Sequence, residues 1–218
     1  MCAAAAPQGR APVHGSRRAA FLGASLLLVA AALAALVGVR ALRRPPAAPP
    51  RYGALPAFFL TERSGRPVTL ADLRGHPWVA DFIFTRCAGA CPAMTARMAR
   101  LRRELPAGVR LVSFTVDPAH DTPEELARYA AGFHADADWL FVTGAQRDLY
   151  FLSTEGFRLA AMEVPPAQRQ GAGDGPFLHS SKFALVDGEG FVRGYYDSTD
   201  EQALRALVAD AGALGHGR

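Results

Sequence analysis

The chain has 218 residues, half of them apolar and 20% charged, which suits one folded domain with extra sequence and excludes an intrinsically disordered polymer. Its three cysteines are too few for a disulfide-stapled miniature fold, and no repeat of solenoid or propeller length is present. The net charge of +4 is concentrated at the front: residues 1–51 hold seven arginines and no acidic residue, leaving 17 basic against 20 acidic residues in the rest, so no nucleic-acid partner is expected.

Residues 19–39 carry no charge over 21 positions, and a membrane-spanning helix needs about 20 apolar residues. Arg18 and Arg40 flank the run, where their side chains can reach the headgroups. The run exceeds the roughly 7–15 apolar residues of a cleaved secretory signal, so a retained anchor is expected. No cysteine follows it, which argues against a lipoprotein. Three arginines precede the span and three follow closely, so the charge rule leaves its orientation open. The preceding SRRAAFL is similar to a twin-arginine export signal with one residue too many. Residues 40–51 are proline-rich and read as a stiff spacer.

From residue 52 onward the pattern alternates. Residues 57–60 and 67–70 read as short strands around a turn at Ser64 and Gly65. Residues 78–85 form a nearly continuous apolar run, as a buried central strand requires. A helix is expected over 92–105, with Met94, Met98, Leu101 and Leu105 on one face. A second central strand follows at 109–116. Thr122, Pro123 and two glutamates announce a helix reaching about Phe133. A strand at 139–143, a helix through Asp148 to Ser153 and an extended stretch at 157–164 come next. Residues 165–176 form a Gly/Pro-rich loop. Residues 181–187 and 192–196 make a hairpin around Gly188 and Gly190, and Asp200 opens a last helix to about Ala211. This order predicts an α/β mixed sheet with helices on both faces.

The chemistry concentrates in DFIFTRCAGACPAM, residues 81–94. Cys87 and Cys91 sit where a strand hands over to a helix, and the helix dipole, with Arg86 alongside, is expected to lower the thiol pKa. A spacing of four brings two sulfurs together if the segment is helical, which permits either a disulfide or shared metal ligation. Two thiolates are soft ligands suited to Cu(I), zinc or iron–sulfur clusters. A structural zinc site wants four ligands, and Cys2 lies beyond the span, where a thiol without function is the simpler reading. Among the histidines, His14 precedes the span, His216 is in the tail, His76 is in a turn, and His120 and His134 fall in polar loops or helix ends. His179, in PFLHSS, stands at the start of the strand leading into the closing hairpin, near where the cysteines should be. By position alone it reads more readily as a structural histidine than as a third ligand. Met94 and Met98 read as core rather than copper-binding thioethers, and Arg97, Arg100, Arg102 and Arg103 as a solvated helix face.

Three segments, FIFTRCAGACP (82–92), VDPAHDTPEEL (116–126) and LHSSKFALVDGEGFVRGYYD (178–197), with WLFVTG (139–144) as a weaker fourth, make the chain resemble the Sco/SenC copper-binding proteins involved in cytochrome c oxidase assembly. The resemblance implies a thioredoxin-like fold preceded by one N-terminal transmembrane helix. It carries Cys87, Cys91 and His179 over as ligands of a copper ion, Cu(I) or Cu(II), and aligns Asp117 and Asp121 with the family's acidic motif; their bottom-up reading is helix capping and loop closure. It also implies an organisation of 1–18 as a cytoplasmic segment, 19–39 as the transmembrane helix, 40–51 as the linker and 52–218 as the copper-binding domain. The chain would then be a single-pass protein of the bacterial inner membrane, its domain facing the periplasm or cell exterior. Many members have proline directly after the first cysteine, where this chain has Ala88-Gly89-Ala90, so the loop should be more flexible.

Two functions are expected to compete. One is a copper metallochaperone whose client is the copper-bearing subunit of cytochrome c oxidase. The other is a thiol–disulfide oxidoreductase in which Cys87 attacks and Cys91 resolves. Other periplasmic copper chaperones or thioredoxin-like reductants are the further partners expected. A peroxide-reducing enzyme of the same fold has less support, since fold alone does not fix function.

Overall fold

The computed structural model describes residues 31–36, 48–87, 89–163 and 177–215. The chain divides into two compact units, Met1–Pro45 and Pro46–Arg218. In the first unit, residues 31–36 are helical with exposed Leu33 and Leu36. The rest of the expected span at 19–39 lies outside the described residues, as do Cys2, His14 and His216. Among the described residues, no helix is long and apolar enough to cross a membrane.

The second unit begins along one sheet edge with β1 (Gly53–Ala54), followed by the hairpin β2 (Phe59–Glu62) and β3 (Pro67–Thr69). A single helical turn, α1 (Leu70–Leu73), is closed by a capping box between Thr69 and Asp72. Then come β4 (Trp78–Ile83), α2 (Ala90–Glu104), β5 (Arg110–Thr115), α3 (Pro123–Gly132) and β6 (Trp139–Thr143). Thr122 caps α3 and Pro123 opens it, as the sequence predicts. A short α4 (Gln146–Phe151) runs on into a wider π turn at Leu152–Gly156. Among the described residues, β7 (Ala161–Glu163) and β8 (Phe177–His179) form a separate two-stranded antiparallel sheet. The chain closes with the hairpin β9 (Lys182–Val186) and β10 (Phe191–Asp197) and with α5 (Glu201–Gly215).

The main sheet has eight strands in the order β1-β10-β9-β4-β5-β6-β2-β3. Among the described residues, β4–β5 and β5–β6 are the parallel neighbours, and the other pairings in this sheet are antiparallel. The expected mixed α/β sheet with flanking helices is therefore present. Every residue of β4 is buried, which its apolar run required.

The two faces of the sheet are filled differently. Trp78, Phe82, Phe114 and Phe157 form one aromatic cluster, with ring centroids 5.4–6.3 Å apart. Each such buried side chain contributes roughly 1.5–3 kcal/mol by burial. Asp81 alternates onto the opposite face of β4, beside Ser113 of β5. There Ser113 accepts a hydrogen bond from Trp139, and Tyr129 of α3 contacts Phe141.

Two arginines of the expected solvated face of α2 also form ion pairs. Arg100 pairs with Glu104 and with Glu201 at the start of α5. Arg102 pairs with Asp136 and Asp138 in the loop before β6. Each lies within reach of acidic residues far away in sequence, which spacing along α2 cannot reveal. Met94 and Met98 are fully buried, as expected for core residues.

The end of the expected spacer is not free-standing. Pro49 is buried, and Arg193 donates to the carbonyls of Pro49 and Pro50 while pairing with Asp187 at 2.7 Å. Arg51 pairs with Glu189 and lies over the ring of Phe191. The Tyr52 amide joins the Val192 carbonyl.

Candidate metal centre

Cys87 and Cys91 lie beyond the C-terminal end of β4, the end of a parallel strand where open α/β sheets place their ligands. Helix α2 begins at Ala90, two residues earlier than expected, so Cys91 is inside its first turn and Pro92 follows it there. Proline is tolerated at this point because first-turn amides have no intrahelical acceptor. Gly89 precedes the helix and offers no side-chain cap. The Cys87 sulfur takes that place, accepting the Cys91 backbone N–H at 3.4 Å.

Both residues are thiols. Cys91 is fully buried and Cys87 is 5% exposed. The expectation of a lowered thiol pKa fails at Cys91. Burial pushes this thiol well above its ordinary value, and the Cys87 sulfur and Asp81 carboxyl act in the same direction. A hydrogen bond from the Phe84 backbone offsets only part of this. The helix dipole is worth at most about 2 kcal/mol in partly buried geometry, whereas full desolvation of a charged group can shift its pKa by several units.

His179 is the last residue of β8, not the start of the closing hairpin strand; Ser180 and Ser181 separate it from β9. The difference arises because β8 finds its hydrogen-bond partner in β7, with His179 in register with Ala161, rather than in the main sheet. The strand is nevertheless next to the cysteine loop: Phe177, two residues before His179, packs its ring 5.3 Å from that of Phe84. Phe84 in turn gives its carbonyl to the Cys87 amide. The His179 side chain lies outside what the structure describes. Among the described residues, no group of three or more histidine, cysteine or acidic side chains gathers around a metal position.

Asp117 and Asp121 come to the same end of the sheet. Asp121 is fully buried and accepts from the Thr85 amide at 3.1 Å, from the Thr85 hydroxyl and from the Thr115 hydroxyl. Burial still holds its carboxyl above the ordinary value, and these hydrogen bonds counter only part of that. Asp117 is paired with Arg86 at 2.6 Å. His120 lies in the loop between them, while His76 and His134 are on other loops, away from this constellation.

Asp81 is the residue that sequence reasoning passed over. It is fully buried, and neither carboxyl oxygen has a hydrogen-bond partner at normal geometry. Burial holds its pKa up at about 7, with neighbouring Ser113 offsetting part of the effect. In α2, Thr95 donates to the Cys91 carbonyl at 2.9 Å and its hydroxyl lies 2.8 Å from that of Tyr129. The available signal was one acid inside the apolar run WVADFIF.

Comparison with known proteins agrees with this arrangement. The chain is 34% identical over 158 residues to the SCO1 protein homolog of Bacillus subtilis, covering 70% of this chain and 78% of that protein. It is 34% identical over 150 residues to a protein of Stutzerimonas stutzeri named for copper binding, covering 67% of this chain and 70% of that one. The solved structure of BsSco, described as a member of the Sco family of cytochrome c oxidase assembly proteins with a disulfide switch, superposes with a TM-score of 0.66. It is 31% identical and covers 78% of this chain and 97% of that one. Residues 47–210 match the SCO1/SenC family model, and the chain belongs to the SCO1/SenC family.

Proposed function

We propose that this protein is a membrane-anchored copper metallochaperone that passes copper to the dinuclear copper site of cytochrome c oxidase. The observation that carries this reading is the adjacent thiol pair at the mouth of α2, with the Cys87 sulfur 3.4 Å from the Cys91 amide. Two thiolates side by side suit Cu(I), and an imidazole from His179 would add a donor acceptable to Cu(II). The relative named for copper binding and the oxidase-assembly relative support the cargo and the client. Each thiol gives up its proton when it takes the metal. Transfer then proceeds by ligand exchange, the client's thiolates replacing these ligands one at a time. The pair's place beyond the C-terminal end of β4 favours that route once the loop over the buried sulfurs opens.

Residues 19–39 serve in this reading as the inner-membrane anchor, with 1–18 cytoplasmic and the folded domain outside. The charge-free run and its flanking arginines support the anchor, and the family resemblance supports its orientation. Thiol–disulfide exchange is the second reading, favoured by the proximity of the same two thiols. Its weakness is Cys91, whose raised thiol pKa leaves little thiolate at neutral pH to resolve a mixed disulfide.

The test is titration of the reduced full-length chain in detergent with Cu(I) and Cu(II), followed by optical and electron paramagnetic resonance spectra. A one-to-one complex with a sulfur-to-Cu(II) charge-transfer band is expected. Cys87→Ala and Cys91→Ala should each abolish stoichiometric binding, and His179→Ala should weaken Cu(II) while sparing Cu(I). Stoichiometric copper in either cysteine variant removes the pair from the site. Absence of tight copper binding by the parent chain, with thiols cycling against a partner disulfide, transfers the function to the second reading.

A further inference from the structure

Two acidic residues four apart hold the two residues directly before Cys87. Asp121 takes both the amide and the hydroxyl of Thr85, and Asp117 takes the guanidinium of Arg86. Asp121 is itself fixed. It is fully buried, its amide is bonded to the Asp117 carbonyl at 2.8 Å, and it adjoins Thr122, the cap of α3. The Thr115 hydroxyl closes the ring, donating to Asp121 and accepting the Asp117 amide at 2.9 Å. On the far side of Cys87 nothing comparable is present among the described residues: Gly89 is exposed and contributes no side-chain cap. The chain entering Cys87 is therefore held from the Thr85–Arg86 side, while the sulfur itself meets the Cys91 amide.

We infer that Asp121, assisted by Asp117, is a positioning residue that clamps the β4–α2 loop and keeps the Cys87 sulfur buried and aligned on the Cys91 amide, preorganised for metal. The inference rests on the reading of Cys87 and Cys91 as the metal-binding pair. A carboxylate suits the role because three donors converge on it, and a buried donor left unmet is costly. An amide serves less well: its oxygen can still accept, and the threonine hydroxyls can turn to accept from its NH2, but the Thr85 amide cannot. Loss of the clamp frees the loop, exposes Cys87 and makes the metal order the loop when it binds, which weakens binding.

Two readouts test this on the full-length chain, one without copper. Reduced protein is reacted with an aromatic disulfide reagent: a protein thiolate attacks one sulfur, the mixed disulfide forms and one aromatic thiolate leaves. Separately, copper(II) chloride is titrated and the sulfur-to-copper band recorded. Asp121→Ala should react about tenfold faster, bind copper(II) about tenfold more weakly and show a shifted band. Asp121→Asn and Thr85→Val should move the same readouts in the same direction by about threefold. Arg193→Ala, at the opposite end of β4, lowers overall stability and should leave rate and band unchanged. Parent-like rate and band in Asp121→Ala, or an equal change in Arg193→Ala, overturns the inference. If Asp121→Ala does not fold, the milder pair decides by the same criteria. If the parent chain binds no copper, the metal reading fails and the copper-free thiol rate still decides the clamp.

Discussion

The two ends of β4 are finished in opposite ways. At its start, Arg193, Asp187, Arg51 and Glu189 pair with one another and fasten the carbonyls of Pro49 and Pro50. At its finish, the chain leads into Cys87 and Cys91, where one sulfur caps a helix that has no other side-chain cap. Charged groups at the first end have their counterparts inside the chain. At the second end the acids grip the loop, and the Cys87 sulfur takes a helix amide. The difference teaches that the end proposed to hold metal and the structural end spend their donors differently.

The predictions sharpen that contrast, starting with the largest effect on stability. Asp81 sits beneath the cysteine end with its folded pKa raised from 3.8 to about 7. A raised carboxyl pKa means the folded state holds its proton more tightly than the unfolded chain, so stability is lost as pH climbs from about 4 to about 7. Asp81→Asn should remove that loss, stabilising the protein by about 2–4 kcal/mol at pH 8 and by much less at pH 4. Urea unfolding at the two pH values measures it; equal gains at both would show that ionisation of Asp81 is not the cause.

Next in size is Arg193→Ala. It takes one partner from the Asp187 carboxylate, which keeps the Glu189 and Phe191 amides and Arg51, and it leaves the Pro49 and Pro50 carbonyls without their donor, at a cost of about 1–3 kcal/mol. The midpoint of thermal unfolding should fall, with copper stoichiometry intact. A loss of copper binding would mean that the two ends are coupled, against the contrast drawn above. Smallest is Arg102→Ala. Its partners Asp136 and Asp138 are half exposed or more, so screening should hold the cost to about 1 kcal/mol or less, read by the same unfolding measurement. A larger loss would make these pairs part of what orients α2.

Much of the fold was legible because it is written in local periodicity. The apolar run of β4, the Thr122-Pro123 start of α3 and the hairpin turn at 187–190 each carry their own signal. Gly190 illustrates this: its φ of +90° is a turn conformation that favours glycine. The pairing of the two cysteines was legible, but not its means: Cys87 lies outside α2, which begins at Ala90, and its sulfur meets the Cys91 amide rather than a neighbour one helical turn away. Burial of the pair was not legible. The dipole argument uses only the helix, whereas the Cys91 pKa follows from everything packed over it.

What the amino-acid sequence determined by itself was the order of strands and helices, the family motifs and the two sulfurs. What only the tertiary structure decided was which distant residues meet. β8 pairs with β7 instead of extending the closing hairpin, and packs Phe177 on Phe84. Thr85 and Arg86 meet acids more than 30 positions away. Arg193 reaches back 144 residues to Pro49. Periodicity and capping act over one or two turns of chain, so a single sequence displays them. Contacts that close long loops depend on how sheet and helices pack, which no local pattern encodes.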